Sequence, residues 1–295
     1  MAQGEPSGRG RRSHGVDKRA VRRLVLCLSV VVLLAGGGCQ GRESPEAAQA
    51  ALTGAAAKLR AAGSATVRFE VLLRNTSGPD SVRWRGTTRF RYGDKPASAT
   101  EFTDFSLRST KVELRTITVG PVRYHRTPRL RTPPGKPWVR IDPGESVAYG
   151  PRVADPDLGL IDPLAYLGVL ENIPRSTALL ARTDRTQTID GKPARAFSVS
   201  CGLGSEDCPA SDLGRARRVF SGDNAISMTF WLDDENRPRL LEGAADLDTG
   251  SSALGGRAFY RATVRIEIAD LGGPVAIAEP APDEVTTEIT MASPT

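Results

Sequence analysis

An alternation of apolar and polar residues with a period of two constrains the fold of this chain more than any other feature. It begins at Ala65, where one face of the first stretch is apolar and the other is charged: Val67, Phe69, Val71 and Leu73 against Arg68, Glu70 and Arg74. Because successive side chains of a strand point to opposite faces, this pattern predicts strands that are buried on one side. The alternation recurs at 82–92, 226–232 and 258–268, and weaker strand candidates lie at 98–107, 111–119, 121–126, 136–141, 178–190, 192–201 and 237–247. Turn-forming residues between neighbouring stretches predict a mostly antiparallel sheet of about 11 strands with one solvated face.

Helices are predicted before the sheet and within it. Ser44, Pro45 and Glu46 are residue types that begin a helix, and Gly63 is placed to end it. The predicted helix has a shallow, alanine-rich apolar face: Ala48, Ala51, Leu52, Ala55 and Leu59. Residues 127–163 are rich in proline and predict a covering loop, which leads into a short apolar helix at 162–170 with Asp162 as its N-cap. A further short helix is predicted at 211–220.

The first 38 residues have the three parts of an export signal, namely a basic start, an apolar run at 24–34 and the small residues that follow it. The apolar run is too short to cross a hydrocarbon core of about 30 Å as a helix. Small side chains before Cys39 suit cleavage on its N-terminal side once the thiol carries diacylglycerol. The leader therefore predicts a bacterial lipoprotein whose mature chain begins at a lipidated Cys39, with a lipid anchor that includes palmitate.

Two other interpretations of the leader remain open. Gly36 stands where a lipobox usually has Leu or Val, so an ordinary secretory signal with an incidental cysteine is the alternative. Arg22 and Arg23 before the apolar run also loosely resemble a twin-arginine signal, and the sequence does not distinguish the two export routes.

The leader also accounts for the basic charge of the chain. It holds seven of the 40 Lys and Arg residues and two of the 34 Asp and Glu residues, which leaves 33 and 32 in the mature chain. A mature net charge of about +1 gives no electrostatic reason to expect nucleic-acid binding.

Cysteine usage agrees with export. After the leader, Cys201 and Cys208 are the cysteines other than the acylated Cys39, and they stand seven positions apart around two glycines. Outside the cytosol such a pair normally oxidises, so we expect a Cys201–Cys208 disulfide. A metal site is disfavoured because the mature chain has one histidine, His125.

No catalytic constellation emerges from the sequence. A serine hydrolase needs a base beside its nucleophile, and His125 lies in a predicted strand, where we expect a surface or edge residue. The acids Asp233, Asp234 and Glu235 lie in a predicted hairpin turn without the spacing of a calcium loop, and we expect them to be solvated. The prediction is a protein without enzymatic activity, metal or cofactor.

One strand carries a row of like charges on its polar side: Arg83, Arg85, Arg89 and Arg91. Such a row can rest against anionic lipid headgroups. The simpler interpretation is a solvated face with acids on neighbouring strands, and we favour it.

The order of several degenerate motifs resembles the actinobacterial lipoproteins of the LppX/LprA/LprF/LprG group, within the LolA/LolB-like superfamily. The motifs follow the lipidated cysteine over nearly all of the mature chain: AAGSATVRF at 61–69, WVRID at 138–142, DPL at 162–164, TIDGKP at 188–193, MTFWLDDENRP at 228–238, VRIEI at 264–268, LGGPVAI at 271–277 and PAPDEV at 280–285. The resemblance implies an α+β, mostly antiparallel fold: a curved half-barrel sheet that cups short helices, with an N-terminal helix. It implies a signal peptide at 1–38, an anchor and helix at 39–64, and a LolA-like domain at 65–295 that forms one globular unit with them.

The resemblance also implies a function. Some members of the group carry acylated lipids or glycolipids in an apolar cavity, and six residues are the candidates to line it here: Phe69, Val71, Trp84, Phe90, Leu164 and Leu167. The expected protein is anchored by Cys39 at the outer face of the cytoplasmic membrane, binds or shuttles an acyl lipid, and does not bind nucleic acid. The alternative is a cell-surface sensor or accessory interaction module in which the same residues fill a core. The sequence does not identify a protein partner.

Overall fold

The computed structural model describes residues 45–76, 81–107, 110–145, 161–164, 166–167, 179–202, 225–249 and 258–291. These residues belong to a compact unit that spans Glu43–Thr295. Cys39, Cys208 and the helix predicted at 211–220 lie outside the described residues.

Within the described residues lie one long helix, α1 (Pro45–Ala62), a 3-10 turn (Pro282–Glu284) and a series of strands. Residues 163–164 and 166–167 are also helical, within the short helix predicted at 162–170. The strands are β1 (Ser64–Asn75), β2 (Ser81–Arg91), β3 (Ala97–Leu107), β4 (Thr110–Lys111), β5 (Leu114–Val119), β6 (Val122–Arg126), β7 (Leu130–Arg131), β8 (Trp138–Ile141), β9 (Leu179–Ile189), β10 (Lys192–Gly202), β11 (Ala225–Asp233), β12 (Pro238–Thr249), β13 (Ala258–Leu271), β14 (Val285–Thr286) and β15 (Thr290–Met291).

The strands form one open, curved sheet in the order β14-β8-β6-β5-β3-β2-β1-β13-β12-β11-β10-β9, with β4 paired to β3. Every pair is antiparallel except β14 with β8, and β7 pairs separately with β15. The predicted fold class is confirmed. The main sheet has 13 strands rather than about 11, because two-residue strands such as β4 and β14 are too short to show a period.

The sheet consists of two meanders that meet at its centre. One meander runs outward from β1 through β2, β3, β5 and β6 to β8, and the other from β9 through β10, β11 and β12 to β13. The pairing of β1 with β13, from Ala65 opposite Leu271 to Asn75 opposite Tyr260, joins the two. We call the side of the sheet that carries Val67, Phe69 and Val71 the inner face, because these side chains belong to the main apolar core.

Helix α1 covers part of the inner face. Its bounds agree with the prediction, and the residues of its predicted face are buried or half-buried and belong to the core: Ala48, Ala51, Leu52, Ala55 and Leu59. The helix packs on β1, β9 and β12. It ends where Gly63 adopts a φ of 71°, a conformation that costs glycine little, and the N–H of Gly63 bonds to the carbonyl of Arg60 at 3.0 Å. No described helix has the length and hydrophobicity that a membrane crossing requires.

A glycine on the inner face lets two phenylalanine rings meet across an intervening strand. Gly86 on β2 lies between Phe69 of β1 and Phe102 of β3 in the sheet register. The two rings pack edge to face, with centroids 5.5 Å apart. A Cβ at Gly86 would lie 2.2 Å from the carbonyl oxygen of Glu101 and 3.0 Å from Phe69 Cζ. The absence of a side chain at Gly86 is therefore a requirement of this aromatic packing.

The acidic turn between β11 and β12 differs from the prediction. Asp234 and Glu235 are exposed as expected, but Asp233 is fully buried. Its carboxylate accepts bonds from the guanidinium groups of Arg237 at 2.9 Å and Arg239 at 2.7 Å. It also accepts backbone N–H groups of Glu235 and Arg237. Burial alone would raise the pKa of Asp233, but these bonds outweigh it and hold the pKa below its ordinary value.

The polar side of the sheet is a network of exposed ion pairs. Arg85 pairs with Glu70 of the neighbouring strand at 2.9 Å, and Arg83 lies 3.7 Å from the same carboxylate. Arg68 likewise pairs with Glu267 across the junction of β1 and β13. The interpretation of a solvated face with acids on neighbouring strands is confirmed for Arg83 and Arg85.

Replacement of Gly86 by alanine should destabilise the protein by about 1–3 kcal/mol, because the new methyl group meets main-chain atoms of β3 that cannot rotate away. Gly243 on β12 provides the matched control, since a Cβ there meets atoms at 3.7 Å or more. Urea unfolding of the two alanine variants checks the difference. Equal stability of the two would contradict the account of Gly86.

Replacement of Asp233 by asparagine should lower the free energy of unfolding at pH 7 by about 3 kcal/mol, because it leaves Arg239 buried without its anion. Since the folded pKa of Asp233 is depressed, the carboxylate stabilises the native chain above its unfolded pKa of 3.8. That contribution is lost as the pH falls through the lowered value. Urea unfolding as a function of pH should show this acid-dependent loss in the parent and less of it in the asparagine variant. Asp234→Asn, on the exposed side of the same turn, should change stability by less than about 0.5 kcal/mol.

Candidate functional site

The six residues predicted to line a cavity come together in the main apolar core. Phe69 and Val71 on β1, and Trp84 and Phe90 on β2, are buried on the inner face. Leu167 is fully buried in the same core, and Leu164 is half-buried and packs against it. The four strand residues thus share the inner face, and the two leucines pack in the same core.

The segment at 161–167 that carries the two leucines is fixed by a buried carboxylate. Oδ1 of Asp162 accepts the backbone N–H of Leu164 at 2.9 Å, as predicted for an N-cap, and the hydroxyl of Tyr92 at 3.2 Å. Burial raises the pKa of Asp162 to about 6, although both hydrogen bonds favour the charged form. Burial, followed by the charge of Asp162, raises the pKa of Tyr92 far above its usual range. These bonds attach the segment to the end of β2.

A cavity of about 280 Å³ opens beside this attachment, and we call it the rim cavity. Its lining combines aromatic, hydroxyl-bearing and charged side chains: Phe90, Arg91, Tyr92, Pro96, Ala97, Ser98, Thr118, Gly120, Pro121, Arg123 and Asp162. Phe90 belongs both to this lining and to the apolar core. The rim cavity thus joins a polar edge of the sheet to the apolar inner face.

Polar side chains form a row across the inner face, which the sequence analysis did not foresee. In the register, Val67 lies beside Thr88, followed by Thr100, Thr116 and His125 on successive strands. All four polar residues are at most 1% exposed. The hydroxyls of Thr88 and Thr100 bond to each other at 2.9 Å. We call these four residues the buried polar row.

A second polar row lies two residues along the strands, toward the rim. It begins beside Phe90 and consists of Ser98, Thr118 and Arg123, and all four of these residues line the rim cavity. Two buried hydroxyls of these rows, those of Thr116 and Thr118, have no hydrogen-bond partner among the described residues. Because buried polar groups are nearly always bonded, these atoms mark a place where an external partner can bind.

The expectation that His125 is a surface or edge residue is wrong. It lies on β6 as predicted, but it is fully buried against the inner face. Burial, and to a lesser extent the charge of Arg123, lowers the pKa of His125 to about 3, so the imidazole is uncharged at neutral pH. Among the residues that the structure describes, no group of three or more His, Cys, Asp or Glu side chains is placed to hold a metal ion.

Several solved protein structures are similar to this chain. No protein-family model and no curated protein matches the chain. LprF from Mycobacterium bovis is similar over 82% of this chain and 100% of its own, with 17% identity and a TM-score of 0.45. LppX from Mycobacterium tuberculosis is similar over 78% and 99%, with 13% identity and a TM-score of 0.40. A LolA-superfamily protein from Nitrosomonas europaea is similar over 76% and 94%, with 10% identity and a TM-score of 0.26. The solved structures similar to this chain thus include the lipoproteins that its motifs resemble.

Proposed function

We propose that this chain is a membrane-anchored, extracytoplasmic lipoprotein that binds or shuttles an acylated lipid or glycolipid and carries out no catalysis. The observation that carries the proposal is the convergence of the six predicted residues on one apolar core, which shares Phe90 with the lining of the rim cavity. An apolar site with a few placed polar groups is the usual composition of a site for a small amphiphile.

The energetics favour acyl chains along the inner face. Each methylene removed from water contributes about 0.8 kcal/mol, so an acyl chain that reaches the apolar core gains several kcal/mol. Ligand sites usually measure about 300–1,000 Å³. The rim cavity, at about 280 Å³, suits the polar end of such a ligand, with its chains directed past Phe90 toward Phe69 and Leu167.

The proposal includes the features of the leader and the cysteines. The signal at 1–38 would direct export, acylated Cys39 would hold the domain at 65–295 on the outer face of the cytoplasmic membrane, and α1 would follow a short tether. Cys201 is the penultimate residue of β10 and pairs with Ile226 of β11. A bridge to Cys208 would close the loop that follows this strand.

A second candidate function rests on a different observation. Phe69, Val71 and Leu167 are each at most 3% exposed, as in a filled core. If these side chains fill the inner face completely, the chain is a sensor or accessory interaction module without a lipid ligand.

Substitution of Val71 by tryptophan separates the two functions. In a lipid site the indole occupies ligand space, so bound lipid should disappear from the purified protein while the free energy of unfolding changes by less than about 1 kcal/mol. Leu72→Trp is the control, because Leu72 is half-buried on the opposite face and its variant should keep the lipid. Native mass spectrometry without detergent and urea unfolding measure the two quantities. A parent protein that never carries lipid, together with a variant destabilised by more than about 1–3 kcal/mol, would show a filled core.

Anchoring should depend on Cys39. Replacement by serine removes the acceptor thiol, so the protein should leave the membrane fraction or accumulate unprocessed. Fractionation and the mass of the mature N-terminus give the readout, and Cys27→Ser in the leader is the matched control. Normal processing and full membrane retention of Cys39→Ser would contradict the lipoprotein assignment.

A further inference from the structure

The two polar rows form a band of hydroxyl groups on an otherwise apolar surface. On β3 and β5 the inner-facing residues Ser98, Thr100, Thr116 and Thr118 all carry hydroxyls, whereas the residues further along the same strands are Phe102 and Leu114. The change from apolar to hydroxyl-bearing side chains therefore occurs along the strands, toward the rim cavity.

Two hydroxyl groups of the band make no hydrogen bond to any described residue. Thr88 and Thr100 satisfy each other, but the buried hydroxyls of Thr116 and Thr118 have no partner among the described residues. An unsatisfied buried hydroxyl costs about 1–3 kcal/mol, and valine has the same shape without that cost. Thr118 lines the rim cavity, so a ligand atom that hydrogen-bonds to its hydroxyl there would remove the free-energy cost of leaving that hydroxyl unbonded.

The charged side chains that line the rim cavity already hold hydrogen-bond partners within the protein. Among the described residues, both hydrogen bonds to the Asp162 carboxylate go to Oδ1. Oδ2 can therefore accept a ligand hydroxyl, whereas an anion beside this carboxylate would meet repulsion. The Arg91 guanidinium already donates to the carbonyls of Lys95 and Ile277, and Arg123 donates to the carbonyl of Glu145. The buried His125 carries no charge at neutral pH.

From these observations we propose that the hydroxyl band beside the rim cavity binds the uncharged, hydroxyl-bearing part of an amphiphile, such as a glycerol or sugar unit. This inference rests on the proposed function, because it assigns the chemistry of the ligand's polar end within the same site. The polar end lies against Ser98, Thr118 and Asp162, and the acyl chain runs past Phe90 toward Phe69. Threonine and serine hydroxyls both donate and accept, as does a polyol, so the two are complementary.

Three probes with the same acyl chain test the inference: monomyristoylglycerol, methyl myristate, which lacks the glycerol hydroxyls, and myristate, which is an anion. The protein is the full chain with Cys39→Ser, delipidated, and calorimetric titration at neutral pH measures each affinity. We expect monomyristoylglycerol to bind most tightly. Thr118→Val should weaken its binding about three- to tenfold, the equivalent of one hydrogen bond, and leave that of methyl myristate unchanged.

Two further variants support the measurement. Thr87→Val removes a half-buried hydroxyl from the outer face of β2 and should change neither affinity. Ser98→Ala removes a second hydroxyl of the rim cavity and should repeat the selective loss if Thr118→Val fails to fold.

The outcomes distinguish this inference from the proposed function. If methyl myristate and monomyristoylglycerol bind equally and Thr118→Val changes neither, the hydroxyl band has no role in binding although the lipid site exists. Tighter binding of myristate than of monomyristoylglycerol would show an anion site instead and also overturn the inference. If none of the three probes binds, the proposed function itself fails, and the inference fails with it.

Discussion

The pairing of β1 with β13 is the interaction on which the rest of the structure depends. Each strand is the inner end of a separate antiparallel meander, and the eleven registered pairs between Ala65 and Asn75 join the two meanders into one sheet. The pairing also aligns Val67, Phe69 and Val71 with Ile268, Ile266 and Val264 on the inner face. Without this junction each meander would end in an unpaired edge strand with apolar side chains on its inner face.

The two meanders contribute different chemistry to the inner face. The meander that ends at β13 presents apolar residues such as Phe197, Phe230 and Ile266, and α1 packs on two of its strands, β9 and β12. In the meander that begins at β1, the inner face of β3 and β5 changes along the strands, from Phe102 and Leu114 to hydroxyl-bearing residues. An amphiphile matches such a surface, because one part of it needs an apolar contact and another needs hydrogen bonds.

Local signals explain what the sequence could predict. The bounds of α1 were predictable because the residues that begin and end a helix are its neighbours in sequence, such as Pro45 and Gly63. The buried polar row was not predictable, since threonine occurs on either face of a sheet. The neighbours of Thr116 depend on which strands pair, and not on the residues next to it in sequence. The burial of His125 was not predictable from its own strand, because it results from pairing with Thr116 of β5 and Val139 of β8. The burial of Asp233 depends on Arg237 and Arg239, whose spacing across the turn was a signal that the analysis of acids alone overlooked.

The position of β13 in the chain has a consequence for biosynthesis. β1 begins at Ser64, and its partner on one side, β13, ends at Leu271. The hairpins of each meander form from neighbouring segments, but the junction needs a contact between distant parts of the chain, which is slow to form. For most of its synthesis the polypeptide therefore carries β1 with one open, apolar-flanked edge, a state in which nascent proteins are prone to associate with other strands. Protection of that edge until the last long strand has emerged would limit such association.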